Sequence, residues 1–92
     1  MDNTINDLYQ ILLDRQRSPS ESSYTSRLLA DEEEIAKKVG EEAIEVILAA
    51  ASQGRQRLVE ESADLVYHLL VLLVANEVTW DEVLAELAAR RR

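Results

Sequence analysis

Lys37-Lys38-Val39-Gly40-Glu41-Glu42-Ala43-Ile44-Glu45, answered after Gly54 by Glu60-Glu61-Ser62-Ala63-Asp64, is the stretch on which the fold turns. Both halves carry helical periodicity. Residues three apart share a helix face, so Glu42 neighbours Glu45 and Glu61 neighbours Asp64. At about 100° per residue, Glu42 falls on the apolar stripe of Ile35, Val39, Val46 and Ala49, and Glu61 on that of Leu65 and Leu72. Gly54, in Ser52-Gln53-Gly54, is the natural break between two helices and is expected to adopt a left-handed C′ conformation. Glu45 lies nine residues before Gly54 and Glu61 seven after it. In an antiparallel hairpin both then stand roughly 10–14 Å from the turn, and Glu42 and Asp64 meet one turn further on.

Four acids on core stripes need an explanation. A Glu-rich helix face is usually solvated. Burying unpaired carboxylates costs several kcal/mol each unless a cation or a proton neutralises them. Oxygen donors at this spacing suit Mg²⁺, with Mn²⁺ as an alternative.

Working outward, the first helix is expected over residues 5–17, with Thr4 as N-cap and Ile5, Leu8, Leu12 and Leu13 on its apolar face. The serine-rich loop over 18–23 follows, then a short helical segment over 24–30. The second main helix covers 31–52, with Asp31 and Glu34 at capping-box spacing. The third covers 56–76. The fourth opens on Thr79-Trp80-Asp81-Glu82, a capping box, and ends in Arg90 to Arg92, which suit the negative end of a helix dipole. The fold class is therefore all-α, an antiparallel bundle of four main helices. Residues 1–92 form a single domain.

Composition agrees. Apolar residues are 47% of the chain, there is no Phe, and two Gly and one Pro leave few helix breaks. No Cys is present, so no disulfide or thiolate site exists. The first 17 residues carry Asp2, Asp7 and Asp14 and do not read as a signal peptide. The longest apolar run, 69–75, is too short to span a bilayer. A cytoplasmic protein without membrane contact is expected. A net charge of −8 with no extended basic face argues against nucleic-acid binding. The middle helices are apolar nearly all round, because Ile44, Leu48, Val66, Leu70, Leu73 and Val74 lie away from the acids. One chain has little material to cover two faces, so a homodimer completes the bundle.

The motifs resemble a known family. Lys37 to Glu45 followed by Glu61 to Asp64 is similar to the EExxE…ExxD signature of the all-α NTP pyrophosphohydrolases, the MazG-like superfamily. Ser23-Tyr24-Thr25 with Leu28-Leu29 narrows the resemblance to the phosphoribosyl-ATP pyrophosphohydrolase family of histidine biosynthesis. It spans roughly residues 8–87. Glu60 departs from it, standing where Lys is common, as does Asp31, near a position where Gly is frequent. The fused cyclohydrolase domain often found in this pathway has no counterpart here, which reads as a stand-alone form.

The resemblance implies a dimeric bundle and hydrolysis of the α–β phosphoanhydride of phosphoribosyl-ATP, giving phosphoribosyl-AMP and pyrophosphate. It implies Glu42, Glu45, Glu61 and Asp64 as Mg²⁺ ligands. Glu41, beside them on a neighbouring angle, is the candidate base, although a solvated Glu is as good a reading. Lys38 falls near the ligand face and suits a phosphate. Lys37, Arg15 and Arg17 are further phosphate candidates, or solvated charges. Ser23, Tyr24 and Thr25 offer hydrogen bonds to substrate, while Ser23 is also placed to cap the short helix. His68 reads as a satisfied core histidine before a ligand. Asn76 reads as a base contact or a helix end, and Trp80 as packing before a stacking platform. A housecleaning pyrophosphohydrolase for ordinary or damaged nucleoside triphosphates, and a non-catalytic dimeric helical interaction module, are the competing readings.

Overall fold

The computed structural model describes residues 3–91; Asp2 and Arg92, which enter the reading of the termini, lie outside them. Five helices follow one another: α1 Thr4–Arg17, α2 Tyr24–Leu29, α3 Glu32–Leu48, α4 Arg55–Ala75 and α5 Trp80–Ala89. A single π-helical turn, Ala49–Gln53, prolongs α3. The described residues contain no strand. The all-α reading holds, with four long helices and the short α2 where each was expected.

The helix ends show how the sequence sets these limits. Asn3, and not Thr4, is the N-cap of α1; Thr4 already lies in the first turn. Ser23 caps α2, its hydroxyl accepting from the Ser26 N–H at 3.2 Å. Asp31 Oδ1 accepts from the Glu34 N–H at 3.1 Å, so half of the expected capping box is made. The Asp31 N–H is already donated to Leu28 O at 3.0 Å, because only Ala30 and Asp31 separate α2 from α3. At α5 the box is complete: Thr79 Oγ1 accepts from the Glu82 N–H and Glu82 Oε2 from the Thr79 N–H. Arg90 Nε pairs with Glu86 at the other end of α5.

The expected α-geometry through residue 52 stops at Leu48. Ser52 Oγ donates to Leu48 O at 3.4 Å, and the turn widens to π there. Gly54 has φ 91° but ψ 169°, so φ is positive as expected while ψ lies outside the left-handed helical region. Its carbonyl accepts from the Leu58 N–H at 3.1 Å. One residue thus ends the π turn and starts α4, reversing the chain.

At the far end, α4 closes in a Schellman motif. The Val78 N–H reaches Leu73 O at 3.0 Å and the Glu77 N–H reaches Val74 O at 3.1 Å. Glu77 sits at the left-handed position with φ 59°, where a Cβ is unfavourable. Glu77→Gly should therefore raise stability by about 0.5–1 kcal/mol, read as a shift in denaturation midpoint at unchanged slope. A lower midpoint would show that the Glu77 side chain stabilises this turn more than its backbone strains it.

The core gathers Tyr9 and Leu12 from α1, Leu28 from α2, Ile35 from α3, and Leu70, Val71 and Val74 from α4. Trp80 packs against it, as expected of a packing residue. Tyr9 donates its hydroxyl to Val78 O at 2.6 Å, joining α1 to the turn before α5. These residues cluster at the end of the α3–α4 hairpin away from Gly54. Leu70 and Val74, assigned above to a second face, belong to this core because α1 covers them. Toward Gly54 the hairpin has less cover. Ile44, Ile47, Leu48 and Val59 are 59%, 66%, 46% and 56% exposed. Among the described residues no helix is long and apolar enough to cross a membrane.

Candidate metal centre

The hairpin brings the acids together between its core end and its bare tip. Glu42 from α3 and Glu61 and Asp64 from α4 each offer a carboxylate oxygen, and these lie within 4.8 Å of one another. They line an open cleft of about 450 Å³ together with Glu41, Ile44 and Glu45. Glu45 therefore faces the same cleft but stands outside the tight trio. The height match reasoned from Gly54 set Glu45 level with Glu61; the structure instead brings Glu42, one turn further along α3, to both Glu61 and Asp64.

Burial separates the roles of these acids. Glu61 is buried, 6% exposed, on the stripe of α4 that continues into Leu65. Glu42 and Glu45 are half-buried, and Asp64 and Glu41 are exposed. Loss of solvent pushes the Glu42 carboxyl above its ordinary value, and the Asp64 and Glu61 carboxylates add to the rise, against His68 and Lys38. An ionised trio repels itself, so this arrangement suits a divalent cation. The donors are all hard oxygens, as Mg²⁺ or Mn²⁺ requires.

One cation already stands at the rim. Arg57 Nη2 donates to Glu61 Oε1 at 2.6 Å, and Arg57 Nη1 donates to Glu60 Oε1 at 2.8 Å. Hydrogen bonds from Gln56 and Arg57 hold the Glu60 carboxyl below its usual range. Reading the sequence for acids passed over Arg57, although its i, i+4 spacing from Glu61 was visible there.

Among the sequence-derived substrate residues, Lys38 is nearest the acids. Its Nζ lies 3.9 Å from Glu41 Oε1, so the candidate base and a candidate phosphate contact are paired. Lys37 is exposed on the next angle. Arg15 is not brought to this cleft by its own chain: it pairs with Asp14 at 3.4 Å and borders a separate pocket with Pro19, Ser26 and Leu29. Arg17 is exposed in the same last turn of α1.

Tyr24 reaches the site indirectly. His68 Nδ1 lies 2.8 Å from Asp64 O, which can only accept, so Nδ1 carries the proton. In the neutral ring Nε2 then accepts from the Tyr24 hydroxyl at 3.0 Å. His68 is 7% exposed and is thus the satisfied core histidine expected. Thr25 Oγ1 bonds Tyr67 OH, and the Tyr67 ring meets His68 edge-on at 5.1 Å. Tyr67 had no signal in the sequence beyond its place one residue before His68. Together these bonds fasten α2 to the stretch of α4 that bears Asp64. Asn76 closes α4, its Nδ2 donating to Leu72 O at 2.8 Å.

Tyr24→Phe is accordingly expected to destabilise the fold by about 1–2 kcal/mol, because His68 Nε2 is left buried without a donor. Chemical denaturation measures this. An unchanged midpoint would leave Tyr24 with no structural role.

Comparison with known proteins covers nearly the whole chain. Residues 5–91 match the family model described as phosphoribosyl-ATP pyrophosphohydrolase. The chain is 53% identical over 89 residues to a phosphoribosyl-ATP pyrophosphatase from Pelotomaculum thermopropionicum, covering 96% of this chain and 91% of that one. It is 48% identical to one from Methanosarcina barkeri, covering 94% and 86%. It is also 45% identical to one from Metallosphaera sedula, over the full length of both.

Proposed function

The chain belongs to the phosphoribosyl-ATP pyrophosphohydrolase family, and from that premise we propose how its cleft performs the family's hydrolysis. The substrate is phosphoribosyl-ATP and the products are phosphoribosyl-AMP and pyrophosphate, a step of histidine biosynthesis. The observation that carries this reading is the trio Glu42, Glu61 and Asp64, held by two helices with oxygens within 4.8 Å. Glu45, in the same cleft, completes a set of four ligands for Mg²⁺, with Mn²⁺ a substitute. A divalent ion bound there supplies Lewis acidity, drawing off phosphate charge and favouring attack by water at neutral pH.

The chain's own groups do the rest. The four acids would hold such an ion, on helices that the Gly54 reversal fixes in register. The oxygen of water bonds to a phosphorus flanking the α–β bridge, the bond from that phosphorus to the bridging oxygen breaks, and phosphoribosyl-AMP and pyrophosphate separate. Glu41 takes the proton of that water. It is exposed at the cleft and outside the ligand trio, so it is not needed to hold the ion. Lys38, tethered to Glu41, meets a phosphate oxygen as that proton is transferred. Lys37 adds charge at the entrance, and Tyr24 lies over His68 where the nucleoside end would approach. Arg15, remote from the acids of its own chain, serves a substrate bound across a dimer. A homodimer burying the bare hairpin tip, working in the cytoplasm without membrane or nucleic acid, fits this arrangement.

The test is pyrophosphate release with Mg²⁺ from phosphoribosyl-ATP, dATP and dCTP, on wild type and Glu45→Gln. Release from phosphoribosyl-ATP alone, lost in the variant, is the expected result. Comparable release from the deoxynucleotides would move the protein to general nucleotide clearance. No release from any substrate would leave a helical interaction module.

A further inference from the structure

Arg57 stands one turn of α4 before Glu61 and spans two acids of very different exposure. The Glu61 side chain is 8% exposed and lines the cleft, whereas that of Glu60 is 45% exposed at the rim. Glu60 is also held by Gln56 Nε2 at 3.2 Å. The Arg57 side chain is itself half-exposed, with 49% of its surface open to water. Its bond to Glu61 Oε1 therefore uses a lone pair of the buried acid in the trio. A divalent cation drawn to Glu42, Glu61 and Asp64 meets this positive charge first. The two compete for the same carboxylate and repel each other. If Glu61 is released, the bond to Glu60 still anchors the guanidinium.

We propose that Arg57 is a positioning residue that exchanges with the metal, neutralising and aiming Glu61 until a divalent cation takes that carboxylate, and remaining tethered to Glu60 afterwards. The proposal rests on the reading of the cleft as a metal site. It gives Arg57 two opposite effects. In the metal-free protein it stabilises the fold, because without it Glu61 is a buried charge with no partner. Toward the metal it lowers affinity, because its bond must be broken on loading. A surface ion pair with no part in the site would have neither effect. The fork geometry matters as well, since a Lys at this position has one point charge and cannot span both acids.

Calorimetric titration with Mn²⁺, and thermal melting in chelator, on wild type, Arg57→Gln, Arg57→Lys and Glu61→Gln decide the matter. Arg57→Gln is expected to bind Mn²⁺ roughly tenfold more tightly, equivalent to about 1.4 kcal/mol. Its melting temperature in chelator should fall by several degrees, and saturating Mn²⁺ should close most of that gap. Arg57→Lys should lie between the two. Equal or weaker Mn²⁺ binding by Arg57→Gln, with wild type binding and Glu61→Gln not, would overturn the exchange while leaving the metal site intact. Failure of wild type to bind Mn²⁺ would overturn both.

Discussion

Glu61→Gln is expected to lower kcat/KM for pyrophosphate release by roughly a thousandfold, or about 4 kcal/mol of transition-state stabilisation. The change is nearly isosteric, so packing around this buried position should survive. It removes one negative charge from the trio and turns one oxygen into an NH₂ that a metal cannot use. Stability should respond only where the metal is present. In chelator the variant loses the charge-assisted bond from Arg57, but it no longer buries a carboxylate, so the two changes largely offset. With Mg²⁺ present, wild type gains stability by mass action and the variant does not. Melting curves with Mg²⁺ and with chelator, run beside the kinetic assay, separate these terms. Full activity in Glu61→Gln would remove this acid from the metal set. A Mg²⁺-induced rise in melting temperature equal to wild type would place the ion elsewhere.

The legibility of this site in the sequence followed from helix arithmetic. Glu42 and Glu61 stood out because they occupied core stripes, while spacing from Gly54 paired Glu45 with Glu61 and Glu42 with Asp64. The structure brings them together with Asp64. Glu45 shared the spacing but not the trio, because a one-turn offset along a helix says which face a side chain takes and not where its last carbon points. Helix limits were readable wherever a side chain makes the cap, as at Ser23, Asp31 and Thr79. They were less readable where the backbone decides. Neither the π turn at Ala49–Gln53 nor the left-handed Glu77 has a residue type that announces it. Tertiary links were the least visible. Tyr24 was singled out for substrate, yet its hydroxyl serves His68, 44 positions away. Arg57 escaped notice because a basic residue beside acids on an exposed helix is ordinary, and only the burial of Glu61 makes this one unusual.

In the proposed homodimer, Ile47→Glu is expected to raise the dissociation constant by roughly a thousandfold. The structure leaves Ile47 66% exposed, beside Ile44, Leu48 and Val59, at the bare end of the α3–α4 hairpin. Four large aliphatic side chains in one patch are more than a lone small domain usually leaves in water. In a twofold interface each residue appears twice, so one substitution removes two buried isoleucines. At about 2 kcal/mol for each, before any cost of burying the two new charges, association weakens by about 4 kcal/mol, which is nearly a thousandfold. Ile44 joins this patch to the cleft, since it also lines the acid pocket. Loss of the partner should therefore expose the metal site and reduce activity even though Glu42, Glu61 and Asp64 are untouched. Sedimentation velocity on wild type and variant reads the association directly, and melting at several concentrations reads its coupling to folding. Wild type should melt higher as concentration rises, and Ile47→Glu should not. A monomeric wild type with a concentration-independent melting temperature would mean that the hairpin tip is left to solvent, and that Arg15 has no acidic cleft to serve.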